Sequence, residues 1–343
     1  MNPTISRTKR GLLAGLAAII TVMVFLTGCG ASNSSKLAED KVNVVTTFYP
    51  LYYLAEEIGG DVVNVINLIP TGVEPHDWTP KSLDLQNASN AQLLIYQGSG
   101  FEGWFEDFKK GLDADSNVQI VEASQSIDLI STVGEEHSHN EDETHTEHEE
   151  HEGHEHEHEA EESHDGHDHG DTDPHTWVSP KSAIIMAENV KNALVQADSE
   201  HAAQFEQRYE ALHAKLVELD AKYEEQLSQV THHDIVVSHH AFGYLARDYG
   251  LTQHALMGIS ADAEPRAQDI VALTKLVKEK NLKYVFFEEL VSDQMANMIA
   301  SEAGVETLVL NPLEGLTTEQ EQNGENYITL MERNLNNLVL ALQ

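Results

Sequence analysis

The chain has 343 residues, 58 of them Asp or Glu and 20 Lys or Arg, for a formal net charge of −38 at pH 7. That balance argues against nucleic acid and anionic membrane surfaces as partners and is compatible with cations as cargo. Cys29 is the single cysteine, which excludes disulfides within the chain and thiolate zinc sites, so a metal site has to be built from His, Asp and Glu.

In chain order, Arg7, Lys9 and Arg10 precede an apolar run from Gly11 to Leu26, the anatomy of an export signal expected over residues 1–28. Leu26-Thr27-Gly28-Cys29 closes that run with a small-residue cleavage site abutting the cysteine, and resembles a bacterial lipobox. The resemblance implies a lipid on the Cys29 sulfur and anchorage at the outer face of the cell membrane. Residues 29–40 read as a flexible tether, rich in Ser and Asn. No later segment is apolar enough to span a bilayer.

Beyond the tether an N-terminal α/β lobe is expected over residues 41–198. Val42–Thr47, Val62–Leu68, Leu93–Gln97 and Val118–Val121 read as strands, and Leu51–Ile58 as a helix. Residues 135–173 are almost only His, Glu, Asp, Gly, Ser and Thr, with no Lys or Arg. No core can form from that composition, so an acidic, disordered loop is expected within the lobe. Its imidazoles, His137, His139, His145, His148, His151, His154, His156, His158, His164, His167 and His169, read as an accessory metal collector or sensor.

Structure resumes at Trp177, and Pro180 opens a helical stretch to Gln196. Phe205, Tyr209, Leu212, Leu216 and Leu219 recur at spacings of three and four, which predicts a long amphipathic helix, a linking element over residues 199–230. A C-terminal α/β lobe is expected over residues 231–343. It is read as strands Ile235–Ser238, His254–Leu256, Tyr284–Phe287 and Thr307–Leu310, with helices Phe242–Tyr249, Ala267–Glu279, Ser292–Glu302 and Asn326–Leu342. The order predicts an α/β fold with two lobes, parallel-rich sheets and a long rigid helix joining them. Ligands in such folds sit at the carboxyl ends of the strands, here facing one another across an interlobe cleft.

Outside the loop, His76, His175 and the pair His239-His240 are placed to line that cleft. The segments Gly72–Lys81, Asp173–Pro180, His239–Tyr249 and Asn311–Leu316 resemble the metal-site segments of the zinc-uptake solute-binding lipoproteins of bacterial ABC transporters, the cluster A-I metal-binding family. The resemblance implies His76, His175 and His239 as nitrogen ligands, with His240 the alternative to His239. It implies Glu314 as the fourth ligand; Glu288, Glu289 and Glu264, which also follow predicted strands, are the competitors. Glu74 and Asp77 are candidates for supporting the ligands, and Tyr49, Trp78, Trp104, Trp177 and Phe242 for packing the walls.

Three imidazoles and one carboxylate suit zinc, since manganese prefers more oxygen. The expected function is therefore capture of Zn2+ outside the cell by a monomer, not an enzyme. The family resemblance further implies delivery to a membrane permease and, through it, to a cytoplasmic ATPase. Manganese is the alternative cargo. A zinc hydrolase and a metal-binding surface adhesin are the alternative functions. The hydrolase reading is weak because the only His-Glu-x-x-His string, His154 to His158, lies in the low-complexity loop.

Overall fold

The structure is a computed structural model that describes residues 36–132, 171–261 and 265–343. The export signal, Cys29, the tether up to residue 35, the loop histidines and Glu264 lie outside the described residues.

The first half is a four-stranded parallel sheet. Its strands are β1 (Val42–Thr46), β2 (Val63–Asn67), β3 (Leu93–Tyr96) and β4 (Gln119–Glu122), in the order β2-β1-β3-β4. β1 is central because it is covered on both faces: Val44 and Val45 are fully buried, as a parallel strand between helical layers requires. Connections run through α1 (Tyr49–Gly59), α2 (Ser82–Asn90) and α3 (Phe105–Gly111), before α4 (Pro180–Ala197) and the long α5 (Ala202–Leu227).

The second half holds two parallel strand pairs, β5 (Asp234–Val237) with β6 (Thr252–Ala255) and β7 (Tyr284–Phe287) with β8 (Glu306–Val309). Its helices are α6 (Gly243–Tyr249), α7 (Ala267–Glu279), α8 (Gln294–Ala303), α9 (Thr318–Gln322) and α10 (Tyr327–Leu342). Gly250 closes α6 at φ = 72°, a left-handed cap that glycine adopts without steric cost. The parallel pairing predicted from the alternation is what the chain forms, with boundaries displaced by no more than three residues.

Three helices escape sequence reading. α2, α3 and α9 are short, and α2 is rich in Ser and Asn with only a weak apolar face. α2 depends on a local device instead: Asp84 Oδ2 accepts the Lys81 N–H at 2.7 Å.

α5 buries Phe205, Tyr209, Leu212, Leu216, Leu219, Tyr223 and Leu227 along one face, the stripe read from the sequence. It is packed along its length by α4, α1 and α10. Tyr223 donates its hydroxyl to the Met331 carbonyl at 2.7 Å, and Arg208 Nε donates to the Glu57 carbonyl at the end of α1 at 2.8 Å. One apolar core therefore runs from β1 through α5 to α10 and includes Ile235, Val237, Phe242, Leu310 and Leu313. A smaller core under α7 and α8 holds Val236, Leu273, Val277, Val285 and Ile299. Among the described residues no helix is long and apolar enough to cross a membrane.

Candidate metal centre

Four segments converge where the strands of both halves end. His76 follows β2 in an irregular segment, His239 lies two residues past β5, Glu314 follows β8, and His175 leads into a short 3-10 turn, Thr176–Val178, before α4. None of these segments is fixed by repeating hydrogen bonds, so each is held from outside. Gly72 N–H donates to the Leu316 carbonyl at 2.8 Å, tying the His76 segment to the Glu314 segment. Trp177 Nε1 donates to the Pro312 carbonyl at 2.7 Å, tying the His175 segment to the same place. Gln97 Nε2 brackets His175, donating to the Pro174 carbonyl at 3.1 Å and to Thr176 Oγ1 at 2.7 Å.

Glu314 Oε1 stands 3.6 Å from His76 Nε2 and 3.4 Å from Nε2 of both His175 and His239. One ligand atom from each of these four residues lies within 4.8 Å of every other. A tetrahedron with bonds of about 2.0–2.1 Å to zinc has edges of about 3.3–3.4 Å, so the oxygen–nitrogen edges match a zinc shell. His175 and His239 are 0% exposed, Glu314 3% and His76 5%. Nε2 of His175, Nε2 of His239 and Oε1 of Glu314 are buried without a hydrogen bond, an arrangement that is costly unless a cation satisfies them.

Two of the imidazoles are oriented in the same way from different places in the sequence. Asp173 Oδ1 accepts both the N–H of His175 at 2.9 Å and its Nδ1 at 2.8 Å. Glu288 Oε1 accepts both the N–H of His239 at 3.2 Å and its Nδ1 at 2.8 Å. A carboxylate on Nδ1 leaves Nε2 with its lone pair directed at the centre. Phe101 closes the wall, its ring 5.5 Å from that of His76, and the Trp177 ring lies tilted 5.2 Å from that of His175. Of the expected wall residues Trp177 is therefore in contact with a ligand, and Trp78 packs on Trp104 at 5.3 Å behind the His76 segment.

The alternatives raised by the sequence fall elsewhere. His240 is the more exposed of the doublet and its Nε2 lies 2.9 Å from Gln253 Nε2 and its Nδ1 4.0 Å from Asp173 Oδ2. Glu288 supports His239 and is not in the converging set, because its oxygen is taken by that residue's ring and main chain. Glu289 is turned away to Asn311 Nδ2 at 2.8 Å and Gln320 Nε2 at 2.6 Å. Asp77 is exposed, whereas Glu74 is half-buried and accepts the Asp77 N–H. Burial, then the Glu314 charge, pushes the Glu74 carboxyl up to about 7. Asp173 and Phe101 were not singled out from the sequence; the Asp-Pro-His spacing could have shown the first, and nothing local marks the second.

Burial alone would depress the basicity of His239, but the charge and hydrogen bond of Glu288, with Glu314, hold it well above 6.5. His175 is likewise raised, burial being outweighed by Asp173 and Glu314. Burial alone would raise the Glu314 carboxyl, but the imidazoles of His175, His239 and His76, 3.4–3.6 Å away, outweigh it and hold Glu314 well below 4.5. The metal-free centre is thus stabilised by imidazolium–carboxylate pairing. The histidine contribution is complete below 6.5 and is lost as pH rises through the raised values. The Glu314 contribution is complete above 4.5 and is lost as pH falls through its depressed value.

A divalent cation replaces the charge of the protons on His175 and His239, so entry of metal is an exchange. Zinc added at neutral pH is expected to release protons from the centre, and affinity is expected to fall as pH drops through the raised histidine values. Proton release followed with an indicator dye in weakly buffered solution, with the histidine-rich loop removed, measures this; no release at pH 7 would contradict it.

Three histidines and a carboxylate, enclosed where two parallel-sheet halves meet, define a two-lobed α/β protein with a candidate centre for one metal ion. The chain belongs to the family described as zinc-uptake complex component A, periplasmic, which matches residues 44–341. It is 40% identical over 305 residues to the zinc-binding protein AdcA of Streptococcus pyogenes serotype M3, an alignment covering 89% of this chain and 57% of that protein. This chain therefore spans little more than half the length of that curated relative. It is 37% identical over 328 residues to the high-affinity zinc uptake system protein ZnuA of Bacillus subtilis, covering 95% of this chain and 96% of that protein. The crystal structure of the Zn(II)-bound ZnuA-like domain of Streptococcus pneumoniae AdcA superposes with a TM-score of 0.69 at 36% identity, over 88% of this chain and 99% of that one.

Proposed function

We propose that the chain is an extracytoplasmic zinc-binding protein that captures one Zn2+ on His76, His175, His239 and Glu314 and delivers it to an ABC permease driven by a cytoplasmic ATPase. The observation that carries this reading is the convergence of four buried ligand atoms, all within 4.8 Å of one another, on a centre shaped for a tetrahedral shell. Four protein ligands leave no open position for activating water, which favours a carrier over a hydrolase. Imidazole-rich coordination favours zinc over manganese.

In this reading a lipid on Cys29 tethers the protein, as a monomer, at the outer face of the membrane within reach of the permease. The lobes are residues 41–198 and 231–343, with residues 199–230 linking them. The histidine-rich loop between residues 135 and 173 collects zinc as an accessory and is not the principal site. Release requires Glu314 or one of the imidazoles to withdraw, since all four ligands are buried.

The test is metal content and affinity of the chain beginning after Cys29 with residues 137–169 removed. One tightly held zinc, absent from the His76→Ala/His175→Ala variant, is the expected result. Metal that disappears with the loop alone would make the loop the main binder. Growth of a deletion strain in zinc-poor medium, restored by zinc and not by manganese, tests the cargo and separates transport from adhesion.

A further inference from the structure

Glu314 sits on unusual backbone. Leu313, immediately before it, is fully buried and has φ = +60°, a left-handed conformation that L side chains adopt only at a cost and only when the surroundings impose it. The source of that constraint is a relay of buried amides. Asn334 on α10 is 1% exposed, on a face it shares with buried Leu330, Met331, Leu335 and Leu338. An amide in such a place destabilises the fold unless it is fully hydrogen-bonded.

Asn334 Oδ1 accepts the Asn311 N–H at 2.9 Å, and its Nδ2 donates to the Asn311 carbonyl at 2.6 Å. One side chain thus fixes both main-chain polar groups of Asn311. The Asn311 side chain then acts in two directions. Its Oδ1 accepts the N–H of Leu313 at 2.7 Å, which closes the turn, and its Nδ2 donates to Glu289 Oε2 at 2.8 Å. Glu289 is in turn held by Gln320 Nε2 at 2.6 Å. None of these four side chains belongs to the converging ligand set.

We propose that Asn334, acting through Asn311, is the positioning residue for Glu314. The relay locks the Asn311–Gly315 turn in its left-handed form and so keeps Oε1 within 3.4–3.6 Å of the three imidazoles. Without it Leu313 returns to negative φ, Glu314 swings out, and the shell is left with three histidines and a position open to water. This rests on the metal reading of the site.

Zinc affinity of the full-length chain, read by tryptophan emission in competition with a chelator, tests it, because Trp177 lies against His175 and reports on the centre. Asn334→Leu is expected to weaken zinc by about 10–100-fold, the range for residues that orient metal ligands. Glu314→Ala is expected to weaken it at least as much, and adding Asn334→Leu to Glu314→Ala is expected to cause no further loss. Adding Leu313→Gly to Asn334→Leu is expected to recover affinity, since glycine takes the left-handed turn without steric cost. A merely structural role for Asn334 predicts additive losses and no recovery, and either result would overturn the proposal.

If Asn334→Leu fails to fold by circular dichroism, Glu289→Gln weakens the relay from its other end and is put through the same cycle, with a smaller, equally non-additive loss expected. Loss of zinc in His175→Ala with unchanged affinity in Asn334→Leu would overturn the relay alone. Unchanged affinity in His175→Ala would overturn the metal reading as well.

Discussion

His175→Ala is expected to lower zinc affinity of the loop-deleted protein by more than about 100-fold, beyond the 10–100-fold typical for residues that only orient ligands. The substitution removes a ligand and also strands a carboxylate. Asp173 is fully buried, and its Oδ1 is satisfied in part by the His175 ring. Removing one member of a buried ion pair commonly costs about 3–5 kcal/mol. The variant is therefore expected to melt earlier than the parent even without metal. With zinc present the gap widens, because the parent gains about 4 kcal/mol at a thousandfold excess over its dissociation constant and the variant does not. Thermal unfolding with and without zinc separates the two contributions. A variant whose zinc-induced shift equals that of the parent would remove His175 from the ligand set.

Glu288→Gln is expected to weaken zinc by about 10–100-fold and to move acid-driven release to lower pH. Glutamine keeps an acceptor for the His239 N–H groups but loses the charge. The carboxylate of Glu288 is the main reason, once burial is overcome, that His239 is held well above 6.5. With a neutral partner fewer protons compete with zinc, so binding persists further into acid although its strength at neutral pH falls. Asp173→Asn is expected to act in the same direction on His175. Affinity measured across pH for the three proteins checks this. A uniform loss with no change in pH dependence would mean that Glu288 supports the fold without tuning the ligand.

Much of this was legible because helical and strand periodicity survive where burial is repetitive. The stripe Phe205, Tyr209, Leu212, Leu216 and Leu219 marks α5 because each member meets the same core. The bounds of α7 and β7 were read to the residue because both are bounded by polar residues. The short α2 and α3 were missed because neither carries a long apolar repeat: α2 is set by the Asp84 cap at its start, and α3 is packed by Trp104 against Phe108.

The candidate ligands were reached by residue type and by resemblance, and the four designated first are the four that converge. The roles of the acids near them were not readable to the same degree. Glu288 and Glu289 are adjacent and both follow β7, yet one faces His239 and the other faces Asn311 and Gln320, because successive side chains leaving a strand point to opposite sides. His239 and His240 are separated in the same way, the first enclosed and the second near Gln253 at the margin.

Sequence by itself determined the composition of the centre, since with one cysteine only imidazoles and carboxylates were available, and determined the α/β order, since both depend on residue identity and short-range repetition. Tertiary structure alone decided which groups meet. Glu288 reaches His239 across 49 positions, Trp177 reaches Pro312 across 135, and Asn334 fixes the turn before Glu314 from the final helix. Such contacts leave no periodic trace, because one hydrogen bond between irregular segments constrains two residues and no pattern around them.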